Sequence, residues 1–567
     1  MKARDVLRLG VLACGLGLAA CAGGGSKDLG NKPSSAQAPI WERNRPQLLP
    51  GMGSHRRTVT TTSDEAQRYF DQGLTLAYAF NHDEAIRSFT EAGRLDPGCS
   101  MAWWGVALCH GPHINNPAMP PDRVAAAWAA LEKARAAAVN ASEVERALIE
   151  ALAHRYTPVM VDDRGPLDEA YAAAMRRVWE RFPGDPDVGT LFAEALMDLR
   201  PWDLWSPSGE PRPETPEVLA TLERVLAMQP TNPGANHLLI HAVEASPHPE
   251  RADAAADRLR TLVPGAGHLV HMPAHIDVRR GRWSMAADQN IASIEADAAY
   301  RRLAPHQEFY RLYMVHNHHF LAYASMMEGR WEVAQKAARE MLAGVPKDFA
   351  GNHGEMLDPY AAIEIEVLMR FGRWEQLLAY PEPASNLPIT RAKWRFARAA
   401  SLAALDRVAE AQREQARFRE AVEAIPPGAM MAINLAAEVM RIAEHMLSGE
   451  IAYRRGRIDE AVSELRRAVQ VEDTLRYMEP PDWIQPVRHT LSAVLLDAGR
   501  VSEAAEVYRE DLARLPENGW SLFGLAECLK AQGMTAEAAK VRERFGRAWS
   551  RADTSIGASC LCVPARK

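Results

Sequence analysis

The residues best suited to chemistry lie between Pro233 and Tyr323, a stretch holding 10 of the 18 histidines. It reads GANHLLIHAVE, then GHLVHMPAHIDV, then MVHNHHFLAY. His237 and His241 stand four apart, a spacing that puts two side chains on one face of a helix. His271 and His275 repeat that pair 34 residues on, which is the period of a helix–turn–helix solenoid unit. Imidazole is the commonest protein ligand for zinc, copper, iron and nickel, so this pattern points first to transition-metal binding.

The elements that must position these side chains are helical. Alanine is abundant and β-branched runs are rare, which favours helix. From Ala66 the stretch AQRYFDQGLTLAYAFNHDEAIRSFTEAGRLDPGC spaces Gly73, Ala85, Phe89, Ala92 and Pro97 in a recognisable way. Small residues let paired helices approach, Phe89 fills the gap to the next unit, and Pro97 stops the second helix. The pattern resembles the tetratricopeptide-repeat superfamily. Later units carry turns at Gly281-Arg-Trp283, Gly329-Arg-Trp331, Gly372-Arg-Trp374, Gly456-Arg-Ile458, Gly499-Arg-Val501 and Gly533-Met-Thr535. Counting back places unit starts near Pro233, Gly267, Val315, Asp358, Ile442, Gln485 and Gly519, with a weaker one near Ala392. The fold expected is an all-α, right-handed superhelical solenoid of about ten to twelve such hairpins.

Within these units the histidines are in phase. His268 and His316 are second in their units, and His237, His271 and His319 are fifth. His241 and His275 are ninth, where the next unit has Tyr323, and Glu244 is twelfth. Second, fifth, ninth and twelfth positions form one stripe on an α-helix. In the tetratricopeptide superfamily that stripe faces the concave groove, so the resemblance implies a ligand surface there. Neighbouring helix axes lie roughly 8–10 Å apart, within reach of side chains converging on one ion. The candidate metal residues are His237, His241, Glu244, His268, His271, His275, His316 and His319, with His268, His316 and Glu244 in either the first or the second shell. Pro273 should disturb its helix and splay His271 from His275. Met272 reads as a soft copper ligand or as core.

Other readings compete. Groove imidazoles also bind a peptide carboxylate or a phosphate, and a buried histidine is often only packing. His318 falls off the stripe and His248 sits in a Pro-rich turn. His110 and His113 precede the Pro-rich loop 111–121, and Asp203 lies in the Trp-rich loop 200–213. Loops so rich in Pro, Gly and Trp are expected to fold over one face and close a site, with His110 and Asp203 as possible additional ligands. His489 is again fifth in its unit, but several units downstream. HxxxHAVE, GHLVHMPAHI, HNxHF and EPPDW…PVR together resemble a group of bacterial tetratricopeptide proteins with histidine-rich grooves, over roughly residues 66–545. That resemblance carries no activity with it.

The N-terminus reads as a targeting segment. Lys2, Arg4 and Arg8 flank a short apolar run from Leu9 to Ala20, too short to span a bilayer. Leu18-Ala19-Ala20-Cys21 resembles the lipobox of bacterial lipoproteins, which implies cleavage before Cys21 and its lipidation. Ala22 rather than Asp after that cysteine leans toward the outer membrane. The chain then divides into a signal peptide (1–20), a flexible tether (21–60), an N-terminal helical region with Pro/Trp-rich loops (61–232), histidine-rich repeats (233–357), C-terminal repeats (358–550) and a cysteine-containing tail (551–567). In an oxidising compartment, Cys560 and Cys562 read as a tail disulfide or free thiols rather than a metal chelate.

These observations also exclude. A net charge of −7 gives no reason to expect nucleic acid. There is no Cys-x-x-Cys-His for haem, no His-Glu-x-x-His and no phosphate-cradling glycine loop, so neither haem nor nucleotide is expected. What remains is a lipid-anchored, periplasm-facing solenoid binding copper, zinc or iron, for metal handling or a metal-dependent reaction. One such reaction is hydrolysis with Glu244 as base to a metal-bound water. The alternative is a scaffold for a protein partner in envelope assembly, without metal.

Overall fold

Ser63 accepts the Ala66 amide through its side chain and so starts the first helix, Asp64–Tyr78. Asn81 caps the second, His82–Leu95, by accepting from Glu84. Phe89 is fully buried between them and the next unit. A Cβ on Gly73 would stand 2.7 Å from its ring, and one on Gly105 would stand 2.6 Å from it. The sequence pattern therefore has the packing reason expected of it, since only hydrogen fits on either side of the ring.

The computed structural model describes residues 45–304 and 307–563, so the stretch expected to be a signal peptide, Cys21 and most of the expected tether lie outside the described residues. The chain is an all-α solenoid. Twelve antiparallel helical hairpins follow one another among the described residues, from Asp64–Leu95 to Gly519–Ala548. Besides helix there is a two-residue antiparallel ribbon, Met430–Met431 with Asn434–Leu435. Among the described residues, no helix is long and apolar enough to cross a membrane.

The repeated turn has a backbone cause. Gly281, Gly329, Gly372, Gly456, Gly499 and Gly533 all have φ between 62° and 78°, the left-handed region that glycine enters without a Cβ penalty. Each stands two residues before the second helix of its hairpin. In the first hairpin that place is taken by Phe80, with φ 54°.

Two features differ from the sequence expectation. Residues 45–60 do not hang free as a tether: Leu49 donates its amide to Gln72, Gly265 donates to the Gly51 carbonyl, and Arg57 pairs with Asp185 at 2.7 Å. These residues form a strap across several units. The solenoid also closes on itself. Trp283 donates its indole N–H to the Pro516 carbonyl, Trp520 donates to Met326, and Gln485 donates to Glu366. The C-terminal units thus pack against the middle of the chain and cover the groove. Cys560 and Cys562 form a disulfide, while Cys99, Cys109 and Cys528 are buried thiols.

Candidate metal centre

The first helix of the fifth hairpin, Pro233–Val243, starts at Asn232, which accepts the Ala235 amide. It is buried on all sides, which a helix enclosed by neighbours on every face permits. His237 Nδ1 lies 2.7 Å from the Tyr78 carbonyl. A carbonyl only accepts, so Nδ1 carries the proton and Nε2 the lone pair. His241 Nδ1 lies 2.8 Å from Glu244 Oε1, which fixes the same tautomer. Both Nε2 atoms are buried without a partner, and so are both ring nitrogens of His268. The ligand atoms of His237, His241 and His268 all lie within 4.8 Å of one another. Burial holds His237 and His268 well below the usual histidine range, with neighbouring imidazoles adding to the effect. Those two are neutral imidazoles, the form that binds metals.

A second trio, His271, His275 and His316, meets the same distance limit. Pro273 does break the helix, into Gly267–His271 and Pro273–Arg279. The expected splaying does not follow, because the break falls between the two residues and leaves His271 Nε2 2.9 Å from His275 Nε2. His271 Nδ1 faces Asn290 Oδ1 at 2.8 Å, and Asn290 is held in place by donating to the Ala286 carbonyl. His316 comes from the next unit, its ring centroid 4.7 Å from that of His271.

Glu244 joins the two trios from behind. One oxygen is 2.8 Å from His241 Nδ1, and the other is 2.7 Å from His275 Nδ1. Burial alone would raise this carboxyl, but His275 and His241 draw it down to about 2. Oε1 accepts from His241 and so orients that imidazole, while Oε2 meets His275 by charge without a hydrogen bond. Glu244, His275 and Glu479 also form a third group with ligand atoms within 4.8 Å of one another.

Glu479 completes the arrangement, 3.0 Å from the same His275 nitrogen. It arrives from the loop between Ile458–Glu472 and Val487–Asp497, 204 residues along the chain. Burial opposes a charge on His275, yet the two carboxylates raise its pKa to about 10.

Not every expected residue joins. His319 stands about 60° round its helix from His316 and turns to the next hairpin, 5.2 Å from the Tyr360 ring. His110 is buried with Nδ1 unpartnered but stands outside both trios. Asp203 pairs with Arg212 at 2.8 Å. His489 belongs to a separate network, between Arg370 and Asp511. His248 is at the surface beside Glu250, and Met272 is fully buried core.

The two irregular loops do close over the cluster. Trp202 donates to Asn115, tying one loop to the other, and its ring meets His241 edge-on at 5.3 Å. Phe80 is the residue sequence reasoning missed. Its ring lies 4.5 Å from both His113 and His237, 6.0 Å from His241 and 5.8 Å from His268. Phe80 and Trp202 both have φ above 50°, a conformation costing a non-glycine residue roughly 1–2 kcal/mol. Such strain gathers at functional sites. The signal was present: Phe80 occupies the turn position where most later units have glycine.

No family model and no curated protein matches the chain. Among solved structures, the human IFIT1 dimer with m7Gppp-AAAA aligns over 86% of this chain and 91% of that one, at 14% identity and a TM-score of 0.31. The APC/C hetero-tetramer Cut9–Hcn1 aligns over 88% and 76%, at 12% identity and a TM-score of 0.30. Scores this low carry no argument about what this chain binds.

Proposed function

We propose that this chain is a lipid-anchored, periplasm-facing solenoid protein that binds a transition metal, copper, zinc or iron, in the histidine cluster of its covered groove. The supporting observation is the first trio. His237 Nε2, His241 Nε2 and both nitrogens of His268 are buried and lack partners, and one ligand atom from each of the three residues lies within 4.8 Å of the others. A buried polar atom without a partner costs roughly 1–3 kcal/mol, and one ion would satisfy all three imidazoles at once. The supporting shell points the same way: Tyr78, Glu244 and Asn290 each hold the far nitrogen of an imidazole, the arrangement that orients metal-binding histidines. The second trio offers a neighbouring place for another ion. The scaffold reading has less support, because the chain's own Glu479 loop occupies the groove where a protein partner would lie. The anchor rests on the Leu18-Ala19-Ala20-Cys21 motif.

Elemental analysis of the untagged protein tests the metal reading, beside a His237→Ala/His268→Ala double variant. Stoichiometric metal in the wild type, lowered in the variant by the ion of the first trio, is expected. If neither protein holds copper, zinc or iron after reconstitution, the reading is wrong. For the anchor, Cys21→Ser should move the protein from the membrane to the soluble fraction, and an unchanged distribution would refute it.

A further inference from the structure

Beside the histidine cluster lies a cavity of about 620 Å³ whose lining includes His241, Glu244 and Glu479. Its walls come largely from the loops 200–213 and 473–486, joined where Arg476 donates to the Trp202 carbonyl at 3.0 Å. The volume suits a small molecule rather than a polymer.

The charges lining it are mostly matched. Asp203 pairs with Arg212, and Glu244 and Glu479 pair with His275. Asp473 pairs with Arg488 and Arg514, and Asp511 pairs with His489. Glu472 shares Arg488 at 3.4 Å and Arg200 pairs with Glu214, while Asp482 has the Asn434 amide and, among the described residues, no cation against it. Two cations lack a direct ion pair. Arg279 donates to the Glu244 and Ser246 carbonyls and Arg476 to the Trp202 carbonyl, with Glu479 and Glu244 near the first and Asp203 near the second at longer range. Among the described residues, neither has a carboxylate within 4.0 Å. The Arg279 Nε–H and the Trp483 indole N–H are buried without partners on the same lining. Arg279 lies over the Tyr477 ring at 5.3 Å, while Arg476 reaches the same cavity from the Trp202 side. Trp202 supplies another.

We propose that this cavity binds a small organic carboxylate, its anionic end held by Arg279 and Arg476 and its planar part lying against Trp202 and Tyr477. Guanidinium matches carboxylate in geometry as well as charge, and aromatic walls take a flat apolar body. The inference rests on the metal reading only for what lies at the cavity floor, where a ligand would sit beside His241. Anion capture itself needs no metal.

The test uses the full mature chain in chelator-stripped and metal-loaded forms, titrated by calorimetry with indole-3-acetate, indole-3-acetamide and inorganic phosphate. Saturable binding of the acetate in both forms is expected, with the neutral amide and phosphate much weaker. Arg476→Gln and Arg279→Gln should each weaken the acetate about 10-fold or more, the loss of one charge-assisted contact. Circular dichroism should show each variant folded. Equal binding of acetate and amide, phosphate binding as tightly as acetate, no binding of any probe, or two folded variants that bind like wild type would each overturn the proposal. Metal content is measured on the same samples. Anion binding without metal would sink the metal reading alone, and metal without anion binding would sink this one alone.

Discussion

His271 Nε2 stands 2.9 Å from His275 Nε2, closer than two nitrogen lone pairs can face each other. Asn290 accepts from His271 Nδ1, so the His271 Nε2 is the acceptor. His275 must therefore donate, and it faces Glu244 and Glu479 with its other nitrogen. In this state His275 is an imidazolium clamped between an imidazole and two carboxylates.

Asn290→Ala removes the group that fixes the His271 tautomer. Such supporting contacts are worth roughly 10–100-fold in metal affinity. Competition with a chromophoric chelator should show that loss at the second trio. An affinity within twofold of wild type would contradict the assigned role of Asn290.

The Glu244–His275 pair sets a pH window for the metal-free protein. Glu244 is depressed from 4.5 to about 2, so its contribution is present above pH 4.5 and fades as pH falls toward 2. His275 is raised from 6.5 to about 10, so its share is full below pH 6.5 and fades as pH rises toward 10. Both include the Glu244–His275 contact, with Glu479 adding to the second. Glu244→Gln should cost roughly 3 kcal/mol between pH 4.5 and 6.5 in urea denaturation, and less on either side. A penalty independent of pH would argue against the ion pair.

Glu479 fastens the covering loop. Glu479→Ala should raise hydrogen exchange across residues 473–486 while His237, His241 and His268 keep their metal. Unchanged exchange there would mean that the loop is held by other contacts.

Phe80→Gly restores the residue that most later units use at this turn. The relieved strain, about 1–2 kcal/mol, is outweighed by the lost ring, roughly 3–5 kcal/mol. The net expectation is a destabilisation of about 2–3 kcal/mol with unchanged helix content by circular dichroism, and faster release of metal to a chelator. A more stable variant would show that the ring contributes little to the site.

The repeat plan was legible because its causes are local. Gly73 and Phe89 pack within one hairpin, and the turn glycines need only their own backbone conformation. The histidine stripe was legible for the same reason, since spacing of four and a period of 34 residues fix a helix face and a register. His319 shares that stripe, and still it faces Tyr360, because the stripe is wide enough to serve two neighbouring hairpins. Pro273 was rightly read as a break, yet a break between two ligands can keep them together.

The sequence by itself determined the all-α repeat architecture and the phase that sends His237, His241, His268, His271, His275 and His316 to one side. Helical periodicity repeats every few residues and needs no knowledge of distant partners. Only the tertiary structure decided that Glu479 would reach His275, that Glu244 would stand behind two imidazoles, and that Trp202 and Arg476 would wall a cavity beside them. Those contacts join segments up to 274 residues apart. They depend on how small rotations between successive hairpins accumulate until the solenoid closes on itself, a sum that no single stretch of sequence displays.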